Sequence, residues 1–200
     1  KILLPADSPL RKTVTISNPL GEDFSVMRTV SFNGILNSLS TNYNRRNDSA
    51  ALFEVARIYI PKALPVTELP DEIPTLTIGM YGNMDFFDLK GIVEHLTDVL
   101  GMKDKTEYET EKTLPWMHPG RTASVWINGE NAGYLGELHP MVAKNYNIGT
   151  RVYLAVLDMP KLIANANRNV VYRALPKFPA ITRDIAMLVK EDVLYFYFPI

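Results

Sequence analysis

A chain of 200 residues with 46% hydrophobic content is long enough for one domain with a substantial core, or for one domain and part of another. Its formal net charge of −1 excludes a strongly cationic coat for nucleic acid, so any RNA contact has to come from a local patch. The absence of cysteine removes disulfides, cysteine zinc sites and thiol catalysis, and no run of about 18 apolar residues is present to span a membrane as a helix.

No cationic-then-apolar N-terminus marks a secretory signal, and a start at Lys1 rather than Met suggests an excised piece. Residues 1–11 hold two prolines and little pattern and read as a leader or linker. Residues 12–17 alternate as a strand does, and Asn18-Pro19 stops it. From about Glu22 the spacing turns helical, with Val26, Val30, Ile35, Leu36 and Leu39 roughly on one face and Asn33-Gly34 weakening the middle. Residues 51–60 are a β-branched and aromatic run that ends at Pro61, which predicts a buried strand. Residues 61–73 read as a surface loop and 74–81 as another strand.

Asp85 is placed to cap a helix, with Asp88 in its first turn and Gly101 at its left-handed end. Leu89, Ile92, Val93, Leu96 and Leu100 form its apolar stripe. Two apolar runs, 122–127 and 132–138, flank Asn128-Gly129-Glu130-Asn131 and predict a hairpin. Pro140 opens a short helix ending near Tyr146, and 151–158 is a further strand. Residues 172–180 read as an interdomain linker, after which Ile185 to Val189 begins a new strand.

Few residues suggest chemistry. His118, Glu137 and His139 are metal-ligand types, but no two histidines share helical i, i+4 spacing, so turn roles are favoured. Arg121 and Glu137 are placed to pair across the hairpin region. Asp85 and Asp88 have cap spacing, and Glu94 lies further along the same helix, which favours capping over acid–base work. No Gly-x-Ser-x-Gly element and no Gly-x-x-x-x-Gly-Lys phosphate loop exists. Arg168, Arg173, Lys177 and Arg183 interleave with Tyr172 and Phe178, a composition that can meet a phosphate backbone, with Arg45 and Arg46 as a smaller patch. A solvated face or an interdomain contact is the plainer reading of both.

Four segments carry a family resemblance. They are Asn18-Pro19-Leu20-Gly21-Glu22-Asp23-Phe24-Ser25-Val26-Met27-Arg28; Leu52-Phe53-Glu54-Val55; Asp85-Phe86-Phe87-Asp88-Leu89-Lys90-Gly91; and His118-Pro119-Gly120-Arg121 with Gly136-Glu137-Leu138-His139-Pro140. In that order they resemble the β-subunit family of bacterial phenylalanyl-tRNA synthetases. Pro176-Lys177-Phe178-Pro179-Ala180 and Arg183-Asp184-Ile185-Ala186 resemble the start of that family's C-terminal, ferredoxin-like RNA-binding domain. The tail from Val193 to Ile200 does not match it.

The resemblance implies an α+β fold: a catalytically degenerate copy of the class II synthetase core, with an antiparallel sheet flanked by helices. Its bounds are a leader at 1–11, the core-like domain at 12–175, and a linker with a truncated domain at 176–200. It implies a cytoplasmic heterotetramer in which an α subunit joins phenylalanine to tRNA(Phe) with ATP and Mg2+, this segment holding no cofactor itself. Class II adenylation uses an arginine two residues before a glutamate, whereas Glu54 is preceded by Leu52 and Phe53. The glycine-rich third motif is also missing, so no cation would stabilise the transferred phosphate. The family's editing and magnesium-binding segments would lie before Lys1.

By resemblance the stretch from Phe24 to Tyr43 holds the place of an interface helix. Phe32, Ile35, Leu36 and Leu39 are therefore the expected interface residues, and the alternative is that they fill the domain's own core. An uncovered face there would pair two copies of the isolated fragment as a homodimer. Arg173, Lys177 and Arg183 are the candidate RNA contacts. Asp85, Asp88, His118, Arg121, Glu137 and His139 are expected as structural motif residues. The competing readings are a free-standing class II-like enzyme or small-ligand-binding domain, and an RNA-binding module.

Overall fold

Strand-forming segments dominate the chain, and a computed structural model describes residues 2–167 together with 169, 186 and 188. In chain order these residues form α1 (Asn33–Asn44), β1 (Ala50–Ile60), β2 (Asp71–Tyr81), α2 (Phe86–Val99), β3 (Thr106–Thr110), β4 (Met117–Ile127), β5 (Glu130–Leu138), α3 (Pro140–Asn145), β6 (Val152–Asp158) and α4 (Met159–Asn165). All six strands join one sheet in the order β1-β2-β6-β5-β4-β3, and every pairing is antiparallel. The expected strands at 51–60, 122–127, 132–138 and 151–158 thus share a single antiparallel sheet.

Alternation along the strands builds a core on each face. Central β6 is the clearest case: Val152 and Leu154 join the core under α1 and α3, and Tyr153, Ala155 and Leu157 join the core under α2 and α4. The first core holds Phe32, Leu36, Leu39 and Trp116, and the second holds Leu89, Val93, Ile127 and Leu135. Gly79 on β2 lets α1 lie close, because a Cβ there would sit 2.3 Å from Ile35 Cγ2. Tyr146 ends α3 and donates from its hydroxyl to Asn33 Oδ1 at 2.6 Å, and burial pushes that hydroxyl's pKa up to about 12.

Local signals set the clearest boundaries. Asp85 accepts from the N–H of Phe87 and Asp88 while Asp88 accepts from the N–H of Asp85, a full capping box that starts α2. Asn128 (φ 51°) and Gly129 (φ 76°) take the left-handed conformation that a two-residue hairpin turn requires.

Elsewhere the structure departs from the sequence expectations. Residues 12–17 form no strand; they make one isolated bridge, Thr15 to Val26, because a 3-10 turn at Glu22–Phe24 folds the chain back on itself. That turn also displaces the expected helix. It begins at Asn33, so Asn33-Gly34 is its start and not its middle, and Val26 lies outside it. The segment read as a leader is packed: Ile2, Leu4 and Leu10 lie against the first core, and Arg11 donates to the carbonyls of Leu4 and Pro5.

Pro61 ends β1 as expected, but β2 begins at Asp71, because Asp71, Glu72 and Ile73 complete the ladder to Ile60, Tyr59 and Ile58. Ile92, expected on the apolar stripe of α2, is 42% exposed, while Leu89 and Val93 are buried. β3 and α4 were not signalled by the sequence. The linker at 172–180, the strand from Ile185 to Val189 and the boundary at 175/176 lie outside the described residues, Ala186 and Leu188 apart.

Candidate functional site

The residues with chemical potential fall into separate groups. The first is the corner where β4 and β5 meet α3. The ladder jumps from Met117↔Leu138 to Thr122↔Gly136, so His118-Pro119-Gly120-Arg121 bulges over the single residue Glu137. Gly136 permits this, since a Cβ there would meet the Arg121 carbonyl oxygen at 2.4 Å. Inside the bulge Arg121 Nη1 donates to Glu137 Oε2 at 2.8 Å, and Arg151 Nε lies 4.0 Å from Oε1. The Glu137 side chain is 4% exposed and that of Arg121 is 47% exposed.

Both nearby histidines serve the backbone. His118 Nδ1 accepts from Gly120 N–H at 3.1 Å, and His139 Nδ1 accepts from Met141 N–H at 3.2 Å as the cap of α3. Among the described residues no group of three His, Asp or Glu is arranged to hold a metal. The corner therefore brings His118, Arg121, Glu137 and His139 together as an ion pair framed by turns. His95 lies apart, on the solvent side of α2.

The second group was not visible as a group in the sequence. Arg28 Nη1 donates to Glu54 Oε1 at 3.0 Å, and Arg28 Nε donates to the Arg57 carbonyl at 2.8 Å. The other Glu54 oxygen fills the space beside Gly34, where a Cβ would lie 2.8 Å from it. Glu54 thus sits at the N-terminus of α1, where a helix favours negative charge. Arg57, on the opposite side of β1, donates to Glu72 at 2.8 Å. Leu52, two residues before Glu54, packs against the first core. No local spacing links Arg28 to Glu54, although both lie in segments that carry the family resemblance.

The four residues expected to form an uncovered face are not uncovered. Phe32, Ile35, Leu36 and Leu39 are at most 4% exposed, because Ile35, Leu36 and Leu39 are the side of α1 laid on β1 and β2 and Phe32, just before the helix, packs on Trp116. As an interface assignment they are corrected to core residues. Among the described residues, the large apolar side chains most exposed on the sheet are Phe53 (75% exposed) and Val55 (55%) on β1. Arg173, Lys177 and Arg183 lie outside the described residues, as does Arg168; Arg45 and Arg46 end α1 as exposed residues.

A pocket of about 420 Å³ lies between α2 and β3, lined by Glu94, His95, Thr97, Asp98, Lys103, Thr106 and Tyr108. Glu94 is tied to Lys90, whose Nζ stands 4.6 Å above the Tyr108 ring. Burial first, and then the charge of Glu94, raises the Tyr108 pKa. The pocket wall carries both signs and no nucleophile paired with a base, so its chemistry specifies no reaction.

Comparison with known proteins places these features. The family model for the phenylalanyl tRNA synthetase beta chain CLM domain matches residues 1–159. The phenylalanine–tRNA ligase beta subunit of Clostridium acetobutylicum is 50% identical over 194 residues, 97% of this chain and 24% of the relative. That of Clostridium tetani is 49% identical over the same shares, and that of Symbiobacterium thermophilum 37% identical over 96% of this chain and 22% of the relative. The chain thus spans about a quarter of the length of these curated relatives. Among solved structures, pyrrolysyl-tRNA synthetase from Desulfitobacterium hafniense superposes with a TM-score of 0.60 at 16% identity, covering 80% of this chain and 56% of that one. At that identity the likeness is one of fold.

Proposed function

The chain belongs to the phenylalanyl-tRNA synthetase β-chain family, and from that premise we propose that it is a non-catalytic scaffold domain of the β subunit. In this reading it supports a catalytic α subunit that attaches phenylalanine to tRNA(Phe) with ATP and Mg2+, in a cytoplasmic heterotetramer.

The observation that carries the reading is the state of Glu54. In class II adenylation the corresponding glutamate works beside an arginine that holds the ATP phosphate. Here Leu52 stands in the arginine's place and packs into the core. Glu54 itself is bound to Arg28 and abuts α1. β6 passes into α4 through Asp158-Met159-Pro160, and the first cation after it, Lys161, donates to the Asn131 carbonyl of β5. The residues at these positions do not fit an ATP triphosphate: Leu52 carries no charge, and the guanidinium nearest Glu54, that of Arg28, is engaged by the carboxylate itself. No adenylation step is therefore assigned to this domain. Residues 176–200 are read as a linker and the start of an RNA-binding domain, with Lys177 and Arg183, and Arg173 just before it, as contacts to tRNA.

Pyrophosphate exchange tests the catalytic half of the proposal. The purified chain with ATP, Mg2+ and phenylalanine should give exchange at background, and exchange above background would overturn it. Calorimetry with ATP and with phenylalanine separates a free-standing enzyme or ligand-binding domain, which would release heat.

A further inference from the structure

Two Asn-Gly pairs occur in the chain, Asn33-Gly34 and Asn128-Gly129. An asparagine side-chain amide is open to attack by the backbone nitrogen of the next residue, and a glycine there leaves that nitrogen unshielded and its torsions free. The fold treats the two pairs differently. Asn33 and Gly34 are half-buried in the first turn of α1, and Asn33 Oδ1 accepts from the Tyr146 hydroxyl. The next two residues, Ile35 and Leu36, anchor that turn in the first core. Bringing the Asn33 side chain onto the Gly34 nitrogen would unwind the start of the helix.

Asn128 and Gly129 are the two exposed residues of the β4–β5 turn. Nothing lies within 4 Å of a Cβ position on Gly129, and among the described residues no group accepts from its N–H. The nitrogen that would attack is therefore free. The restraint falls on the Asn128 side chain, whose Nδ2 donates to Asn165 Oδ1 at the end of α4. Asn165 is itself oriented by donation from its Nδ2 to the Lys161 carbonyl at 3.0 Å, which turns its oxygen toward the hairpin. A single exposed hydrogen bond thus holds the Asn128 amide, and such a bond opens readily.

We propose that Asn128 is a site of spontaneous deamidation and that Asn165 slows it. The Gly129 nitrogen gives its proton to solvent and attacks Asn128 Cγ. The N–Cγ bond forms, and the Cγ–Nδ2 bond breaks as Nδ2 takes up a proton and leaves as ammonia. Water then opens the cyclic imide: opening at Cγ gives aspartate, and opening at the main-chain carbonyl gives isoaspartate. No group is oxidised or reduced. Aspartate sets a carboxylate against Asn165 Oδ1, two acceptors with no proton between them. Isoaspartate adds a main-chain atom to the two-residue turn that fixes Ile127 opposite Glu130.

The test is peptide mapping by mass spectrometry of the full 200-residue chain, held folded in warm, mildly alkaline buffer, with enzymatic methylation to count isoaspartate. The peptide holding Asn128 should convert from amide to acid at least tenfold faster than the peptide holding Asn33. In urea, where both pairs are released, the two rates should agree within about threefold. Asn165→Ala should speed conversion at Asn128 about two- to tenfold, the worth of one hydrogen bond, and leave Asn33 unchanged. Asn165→Asp keeps an acceptor for Nδ2 and should stay near the wild-type rate. If Asn165→Ala does not fold, Asn165→Leu, of similar shape and without an acceptor, takes its place. Equal conversion of the two pairs in the folded chain overturns the site, as does an Asn128 that stays an amide while the urea-treated chain converts. Conversion at Asn128 that loss of the Asn165 acceptor leaves unchanged overturns the role of Asn165.

Discussion

At the level of single residues, burial decides what each charge does. Glu137 is nearly inaccessible while its partner Arg121 is half in solvent, so the two ends of the pair are not equivalent. Arg121→Ala strands a buried carboxylate, which Arg151 at 4.0 Å only partly compensates. Glu137→Gln leaves an arginine that can turn to water. We expect the first to cost about 2–3 kcal/mol and the second about 1 kcal/mol, with urea denaturation as the measure; equal losses would contradict the asymmetry.

Glu111 makes a prediction with pH. Burial pushes its carboxyl up, but donation from the Thr113 side chain and N–H, from Ser124 and from the Lys112 backbone outweighs it, and the pKa lies below the ordinary value. A lowered folded pKa contributes stability above the unfolded value, lost as pH falls through the folded one. Glu111→Gln should therefore be most destabilising near neutral pH, and its gap to wild type should close as the pH drops below about 4.

At the level of elements, the starts of helices are set by a few side chains. α2 begins where Asp85 and Asp88 satisfy one another's backbone donors. Asp85→Ala should cost about 1 kcal/mol in thermal or chemical denaturation and Asp85→Asn much less, because asparagine still accepts at that position. α1 has no side-chain cap at Phe32. Its N-terminus is held instead from across the fold, by Glu54 beside Gly34 and by Tyr146 on Asn33.

At the level of the whole molecule, two cores share one sheet and cannot come apart independently. Leu36 belongs to the core under α1 and Leu135 to the core under α2, and both are wholly buried. Leu36→Ala and Leu135→Ala should each cost about 2–5 kcal/mol. Each should shift one cooperative transition, with tryptophan fluorescence from Trp116 and Trp126 and far-ultraviolet circular dichroism superimposing. Separate transitions would mean that the two faces unfold as independent units.

What the sequence determined by itself are the features whose causes lie within a few residues of one another. The Asn128-Gly129 turn, the capping box of α2, the Pro140 start of α3 and the continuous apolar run of β6 need only local sterics and hydrogen bonds. They were legible for that reason, as were the segments that carry the family resemblance. The tertiary structure decided whatever depends on distant partners. Polar β3 is a strand because β4 offers it a ladder. Residues 12–17 are not a strand in the sheet because the turn at Glu22–Phe24 takes them elsewhere. Phe32, Ile35, Leu36 and Leu39 have the same periodicity whether they face a partner or a core, and only the placement of α1 on β1 and β2 buries them. Arg28 and Glu54, 26 residues apart, meet only when β1 has joined the sheet. Periodicity reports that a face is apolar, but which surface covers it depends on contacts between residues far apart in the chain, and no short stretch of sequence encodes them.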